Sequence, residues 1–313
     1  MFENKIGIIY LTKSKIFYTA FAQIPYNLIE LSWDGGDLSS VLQKIKDTEK
    51  IDSLKIILGE EISYNFVTKI PSNYLDKTKI QSLASSLTPE NITEQNFVWR
   101  IIGVPDSSGI SLVQICVVPI IILNNLSNAS KFSKLPIFFI KPVSILLTEG
   151  TKNINTPHII LWYHQEKIGL VSFQGAVYLS ENISDATDKI VLNLQSFAKI
   201  NFNLTINTLV LDWTPVDIST ISSTGVKLNI QKMQQDVITI AAASRRGQYD
   251  KDNLEFKPVA SIPVGPTPTV IDANQQTQNK TNKLFQGNNT LVIIIAILIS
   301  VILITFLFLI QNK

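Results

Sequence analysis

Apolar and polar positions alternate in short runs along the first 257 residues, and the period switches repeatedly between two and three-to-four. Three strand-length runs open the chain, Lys5 to Leu11, Lys15 to Ala22 and Asn27 to Ser32, with turns at Thr12-Lys13-Ser14 and Pro25. Leu38, Val41, Leu42 and Ile45 then recur at helical spacing, with Asp37 placed to cap them. The pattern next predicts strands at Leu54 to Leu58 and Ile62 to Ile70, a helix over Leu75 to Leu87, and strands at Phe97 to Ile102 and Ile110 to Val118. A helix from Pro119 to Lys131 and a strand at Pro136 to Ile140 follow. A second triplet of strands comes at His158 to Tyr163, Lys167 to Phe173 and Ala176 to Ser180, turning at Gln165-Glu166 and Gln174-Gly175. It leads into a helix marked by Ile190, Leu194, Phe197 and Ile200, a strand at Thr208 to Leu211 and a helix around Asp236 to Arg246. Three strands and a helix thus occur twice, which predicts an α/β protein of two related lobes, 1–150 and 151–257.

Beyond these lobes the pattern changes. Residues 258–290 are rich in Pro, Gln, Asn and Thr and read as a flexible tether, about 30 Å end to end. Leu291 to Ile310 carries no charge and, as a helix, would be roughly 30 Å long, enough for a bilayer core. A single transmembrane helix is therefore expected, followed by a short tail, 311–313. Lys280 and Lys283 before it outnumber Lys313 after it, and the N-terminus shows no export signal, so the lobes are expected in the cytoplasm. In that compartment triplets such as Asn91-Ile-Thr93 are chance matches to a glycan acceptor.

Composition narrows the chemistry. Lys+Arg number 27 against 25 Asp+Glu, a formal charge of +2, which gives no footprint for nucleic acid. One Cys excludes a disulfide framework, and two His leave little for metal or general-base work. A mean hydropathy of +0.21 agrees with a segment in lipid. Residues that imitate sites have simpler readings. His158 and His164 lack acidic or thiol partners at ligand spacing, and Cys116 sits in an apolar run. Asp34-Gly35-Gly36-Asp37 would repel phosphate and reads as a capped turn. Glu60 and Glu61 are adjacent and, on a strand, would face apart. Arg245-Arg246 suit a helix C-terminus.

Four segments, Ile57 to Pro71, Leu112 to Gly150, His158 to Ile183 and Ile238 to Gly247, in this order and spacing, resemble the actin-like proteins of bacterial type IV pilus and type II secretion machines, PilM and the cytoplasmic part of GspL. The resemblance covers Lys5 to about Phe256. It implies an α/β, actin-like (ribonuclease H-like) two-lobed fold, with a subdomain inserted in the first lobe over about 61–124. It also implies where nucleotide would bind: at the turn of each hairpin, where an Asp organises magnesium and a Gly lets phosphate approach. Those positions fall near Ile9, Tyr10 and Leu11 in the first lobe and near Leu161, Trp162 and Tyr163 in the second. They carry neither residue type. The adenosine-side loop aligns at Asp212 and Trp213, where a Trp takes nucleotide space. Phosphoryl transfer rests on positioning and charge neutralisation, so the expectation is a pseudo-ATPase without cofactor or metal. The implied role is a membrane-anchored scaffold at the cytoplasmic (inner) membrane, with PilN-like or PilO-like partners and a motor ATPase. An ATPase with diverged loops, or a tethered binding module unrelated to secretion, is the alternative.

Overall fold

A computed structural model describes residues 5–20, 28–183, 187–211, 228–244, 254 and 256. The tether, the Leu291 to Ile310 span, Asp212, Trp213, Arg245 and Arg246 lie outside the described residues. Among those described, no helix is long and apolar enough to cross a membrane.

The chain begins β1 (Ile6–Leu11), β2 (Lys15–Thr19), β3 (Ile29–Ser32), α1 (Ser39–Glu49) and β4 (Ser53–Leu58). It continues β5 (Tyr64–Pro71), α2 (Lys77–Leu87), β6 (Phe97–Ile102), β7 (Ile110–Val117), α3 (Ile120–Ser133), β8 (Ile137–Pro142) and α4 (Val143–Gly150). The second half is β9 (His158–Tyr163), β10 (Lys167–Phe173), β11 (Ala176–Asn182), α5 (Thr187–Phe202), β12 (Thr208–Leu211), β13 (Asn229–Lys232) and α6 (Val237–Ala243).

One sheet has the order β3-β2-β1-β4-β8, and the other contains β13-β12-β9-β10-β11. Read from β1 and β9 these are the same topology: an antiparallel three-strand meander extended by parallel strands on the far side of its first strand. The duplicated sequence pattern is thus a duplicated sheet. Central β4 is buried at every position, as a parallel strand covered on both faces should be. Its Ile56 and Leu58 face α1 and α3, while Ile57 faces the other lobe. Local chemistry fixes the ends. Asp236 and Asp76 accept hydrogen bonds from the N–H groups of Thr239 and Lys79 and cap α6 and α2. Gln174 and Gly175 both have positive φ, 52° and 70°, which suits the tight turn between β10 and β11.

The insertion between β4 and α3 forms three strands in the order β5-β7-β6, and this small sheet is hydrogen-bonded onto the second lobe. The join is a single residue pair, Leu179 on β11 with Phe66 on β5. Arg100 on β6 reinforces it, bonding Gln114 Oε1 at 3.0 Å and donating to the Gly175 carbonyl of the β10–β11 turn. α3 packs whole against α1 in the first-lobe core through Leu123, Leu126 and Ala129. At its far end the described chain returns to the first lobe, where buried Phe256 bonds Ile140 on the edge of β8.

Two elements are additional to the sequence pattern, α4 and β13. The buried face of α5 also differs from expectation: Ile190, Val191, Leu194 and Ala198 point inward, whereas Ile200 is 81% exposed. The stripe follows i, i+4, i+8 from Ile190, and a run of threes from Leu194 drifts off it.

Candidate functional site at the junction of the lobes

Alternation along β1 sends Ile9 and Leu11 into the first-lobe core and Tyr10 to the opposite face. On β9, Leu161 points toward α5, Tyr163 packs half-buried beside it, and Trp162 faces the first lobe. The two facing residues meet, with ring centroids 5.7 Å apart and planes inclined by 32°. Phe17 stands edge-on to Tyr10 at 6.3 Å. Around them Ile8, Ile57, Phe139, Ile160, Ile168 and Val210 make one continuous apolar core between the sheets, floored by α4 and α6. Of the residues the sequence singles out, Tyr10 and Trp162 are therefore brought together. Ile9, Leu11, Leu161 and Tyr163 serve the cores of their own lobes.

The turns beyond these strands differ. In the first, Thr12 Oγ1 accepts from Lys15 N at 3.0 Å and Ser14 N at 3.4 Å, so the turn closes on itself. In the second, buried Glu166 crosses to the first lobe. Its carboxylate accepts from the Tyr10 hydroxyl and from the backbone N–H groups of Glu60 at 3.0 Å and Glu61 at 3.2 Å. Gly59 makes this approach possible, since a Cβ there would lie 2.5 Å from Glu166 Oε2. Burial pushes the Glu166 carboxyl above the usual carboxylate range. Burial and this neighbour drive the Tyr10 hydroxyl well above its ordinary value.

Glu60 and Glu61 lie in a 3-10 turn, not on a strand, and they diverge. Glu61 is exposed, while Glu60 is buried and accepts from the Ser180 hydroxyl on β11. Its Oε2 has no hydrogen-bond partner, and neither does Oδ1 of nearby Asn65, whose amide donates to Ser144 on α4 at 2.9 Å. Burial raises the Glu60 pKa to about 7, with the Glu166 charge acting in the same direction and the Ser180, Ser144 and Asn65 side chains opposing it. In the sequence Glu60 is set aside as one of two strand acids facing apart; the one signal for it is an acid one glycine beyond an apolar strand.

A buried lysine makes a second cross-lobe tie. Lys55 on β4 points its ammonium at the C-terminus of α6 and donates to the carbonyls of Ala241 at 3.0 Å, Ala242 at 2.6 Å and Ser244 at 2.7 Å. A cation at that helix end satisfies carbonyls left over by the helix and complements its dipole.

The imitators have ordinary roles. His158 is held between the Thr156 carbonyl at 2.8 Å and Thr151 Oγ1 at 2.9 Å, and burial lowers its pKa. Burial raises the Cys116 thiol well above its usual value. The 34–37 segment is a turn in which Asp34 accepts from Gly36 N and Asp37 from Ser39 N, each at 2.9 Å. Among the described residues no group of three or more His, Cys, Asp or Glu could hold a metal ion.

No known protein-family model matches the sequence, and no curated protein does either. Solved structures do match in fold. A structure of the PilM–PilN type IV pilus biogenesis complex is 8% identical, covers 75% of this chain and 89% of its own, and has a TM-score of 0.51. The cytoplasmic domain of Epsl, an inner-membrane component of the type II secretion system of Vibrio cholerae, is 11% identical over 76% and 93%, with a TM-score of 0.45. A Bacteroides thetaiotaomicron protein with actin-like ATPase fold and unknown function is 13% identical over 77% and 95%, with a TM-score of 0.47. With the duplicated sheet topology, the likeness to the PilM–PilN structure shows the fold of the described residues to be actin-like.

Proposed function

We propose that this protein is a membrane-anchored, catalytically silent actin-like scaffold that joins cytoplasmic and inner-membrane parts of a type IV pilus or type II secretion-like assembly. The observation that carries the reading is the Tyr10–Trp162 contact, together with Glu166 on the backbone N–H groups of the opposite lobe. A magnesium triphosphate fits these residues poorly. The strands that would present metal-organising acids present rings instead, and a carboxylate takes donors that a phosphate would need. The structural likeness to a PilM–PilN complex supports a PilN-like partner, and the insertion β5 to β7 is the element proposed to hold it, by strand addition or helix docking. Leu291 to Ile310 supplies the bilayer anchor in this reading.

The test is thermal unfolding of the full chain with and without millimolar Mg-ATP. No shift in the midpoint is expected, whereas a stabilisation that grows with nucleotide concentration would sink the silent reading. Isolation of the detergent-solubilised chain from its native membrane addresses the assembly: inner-membrane pilus or secretion proteins should accompany it.

A further inference from the structure

Beyond the shared apolar core, the tip of the second lobe's hairpin meets the first lobe through two acids buried side by side. Glu166 from the β9–β10 turn sits on the N–H of Glu60, and the Glu60 carboxyl is enclosed by β5, β11 and α4. Neither has an ion-pair partner among the described residues. Among the described residues the groups that bear on them are few, and His164 shares the turn with Glu166, its N–H donating to the Glu166 carbonyl at 3.1 Å. Tyr10 faces Glu166 from β1, Cys116 lies within reach of the Glu60 charge from β7, Glu61 precedes the exit of the turn, and Ser180, Ser144 and Asn65 are neutral. The cluster is short of hydrogens as well as of positive charge, since Glu60 Oε2 and Asn65 Oδ1 are buried acceptors without a donor. Two carboxylates in such a place cannot both stay ionised at low cost.

We propose that the junction is a proton-held latch, in which a proton on the Glu60–Glu166 carboxyl pair keeps the tip of the second lobe's hairpin seated on the first lobe and its loss frees that tip. The proposal rests on the junction alone and holds whether or not the chain is a scaffold. The pair titrates as a unit, and no proton is assigned to one acid.

The sign follows from the raised pKa of Glu60. The folded state holds a proton that the unfolded chain releases near 4.5, so the latch contributes fully below that pH and fades as pH climbs toward about 7. The experiment is thermal unfolding of the full chain from pH 5 to pH 8, for wild type, Glu60→Gln and Glu166→Gln. Hydrogen exchange of the Glu60 and Glu61 amides, both donors to Glu166, is followed in parallel. The wild-type midpoint should fall across this range by on the order of 5 °C more than that of Glu60→Gln. Amide protection should fall with it in wild type and stay level in the variant, once corrected for intrinsic exchange. An undiminished pH slope in Glu60→Gln would overturn the latch. So would wild-type protection that does not change with pH, a result that stands even where a variant fails to fold.

Discussion

The hairpins that open the two lobes share strand order and antiparallel pairing and differ in where their turns find partners. The β1–β2 turn is completed by Thr12, and among the described residues its hydrogen bonds are with its own lobe. The β9–β10 turn sends Glu166 out of its own lobe to Tyr10 and the 59–61 backbone. Duplication therefore preserved the scaffold while the two tips diverged, one toward self-sufficiency and one toward contact. Substitutions at the first tip should act locally and those at the second should act on both lobes.

The largest expected effect is at the shared ring contact. Trp162→Ala removes a buried side chain from the core between the sheets and should cost about 3–5 kcal/mol in urea unfolding. A loss below about 1 kcal/mol would mean that the lobes hardly depend on one another there. Gly59→Ala places a methyl where Glu166 now lies, so the carboxylate must withdraw. The expected cost is about 1–3 kcal/mol, with amide exchange rising at Glu60 and Glu61 but not at Ser14 or Lys15. Thr12→Val keeps the shape of the first turn and its backbone bond from Thr12 N to the Lys15 carbonyl, and removes the bonds to the Thr12 hydroxyl. It should cost about 1 kcal/mol and raise exchange only at Ser14 and Lys15, and a change at Glu60 in this variant would contradict the independence of the two tips.

The sheets were legible because their strands alternate or run apolar for lengths that only strands adopt. β6, β9, β10 and β12 lie where the pattern placed them, and the repeated meander announced the duplicated topology. α4 was hidden because Val143 to Thr148 is buried on every side, so it shows no amphipathic period and reads as a continuation of β8. β13 was hidden for the opposite reason, having a polar, mostly exposed edge pattern. At the junction the sequence pointed to Tyr10 and Trp162 because an expected acid was missing there. It gave little sign of Glu166, Glu60 or Lys55, whose importance comes from cross-lobe partners 105 to 189 residues away. Long-range pairing of single polar residues leaves no period to read.

The lone Leu179–Phe66 pairing that carries one sheet onto the other behaves as a hinge pin. A load applied to the β5–β7 insertion, such as a docked partner would bring, passes straight into the second lobe's strands through one rung and the Arg100 strut. It also reaches the first lobe, through the chain connections, through Asn65 on Ser144 of α4, and through Cys116 and Val98 against the first-lobe core. The insertion belongs to one half of the molecule by sequence and is fastened to both, so whatever pulls on it also bears on the angle between the halves.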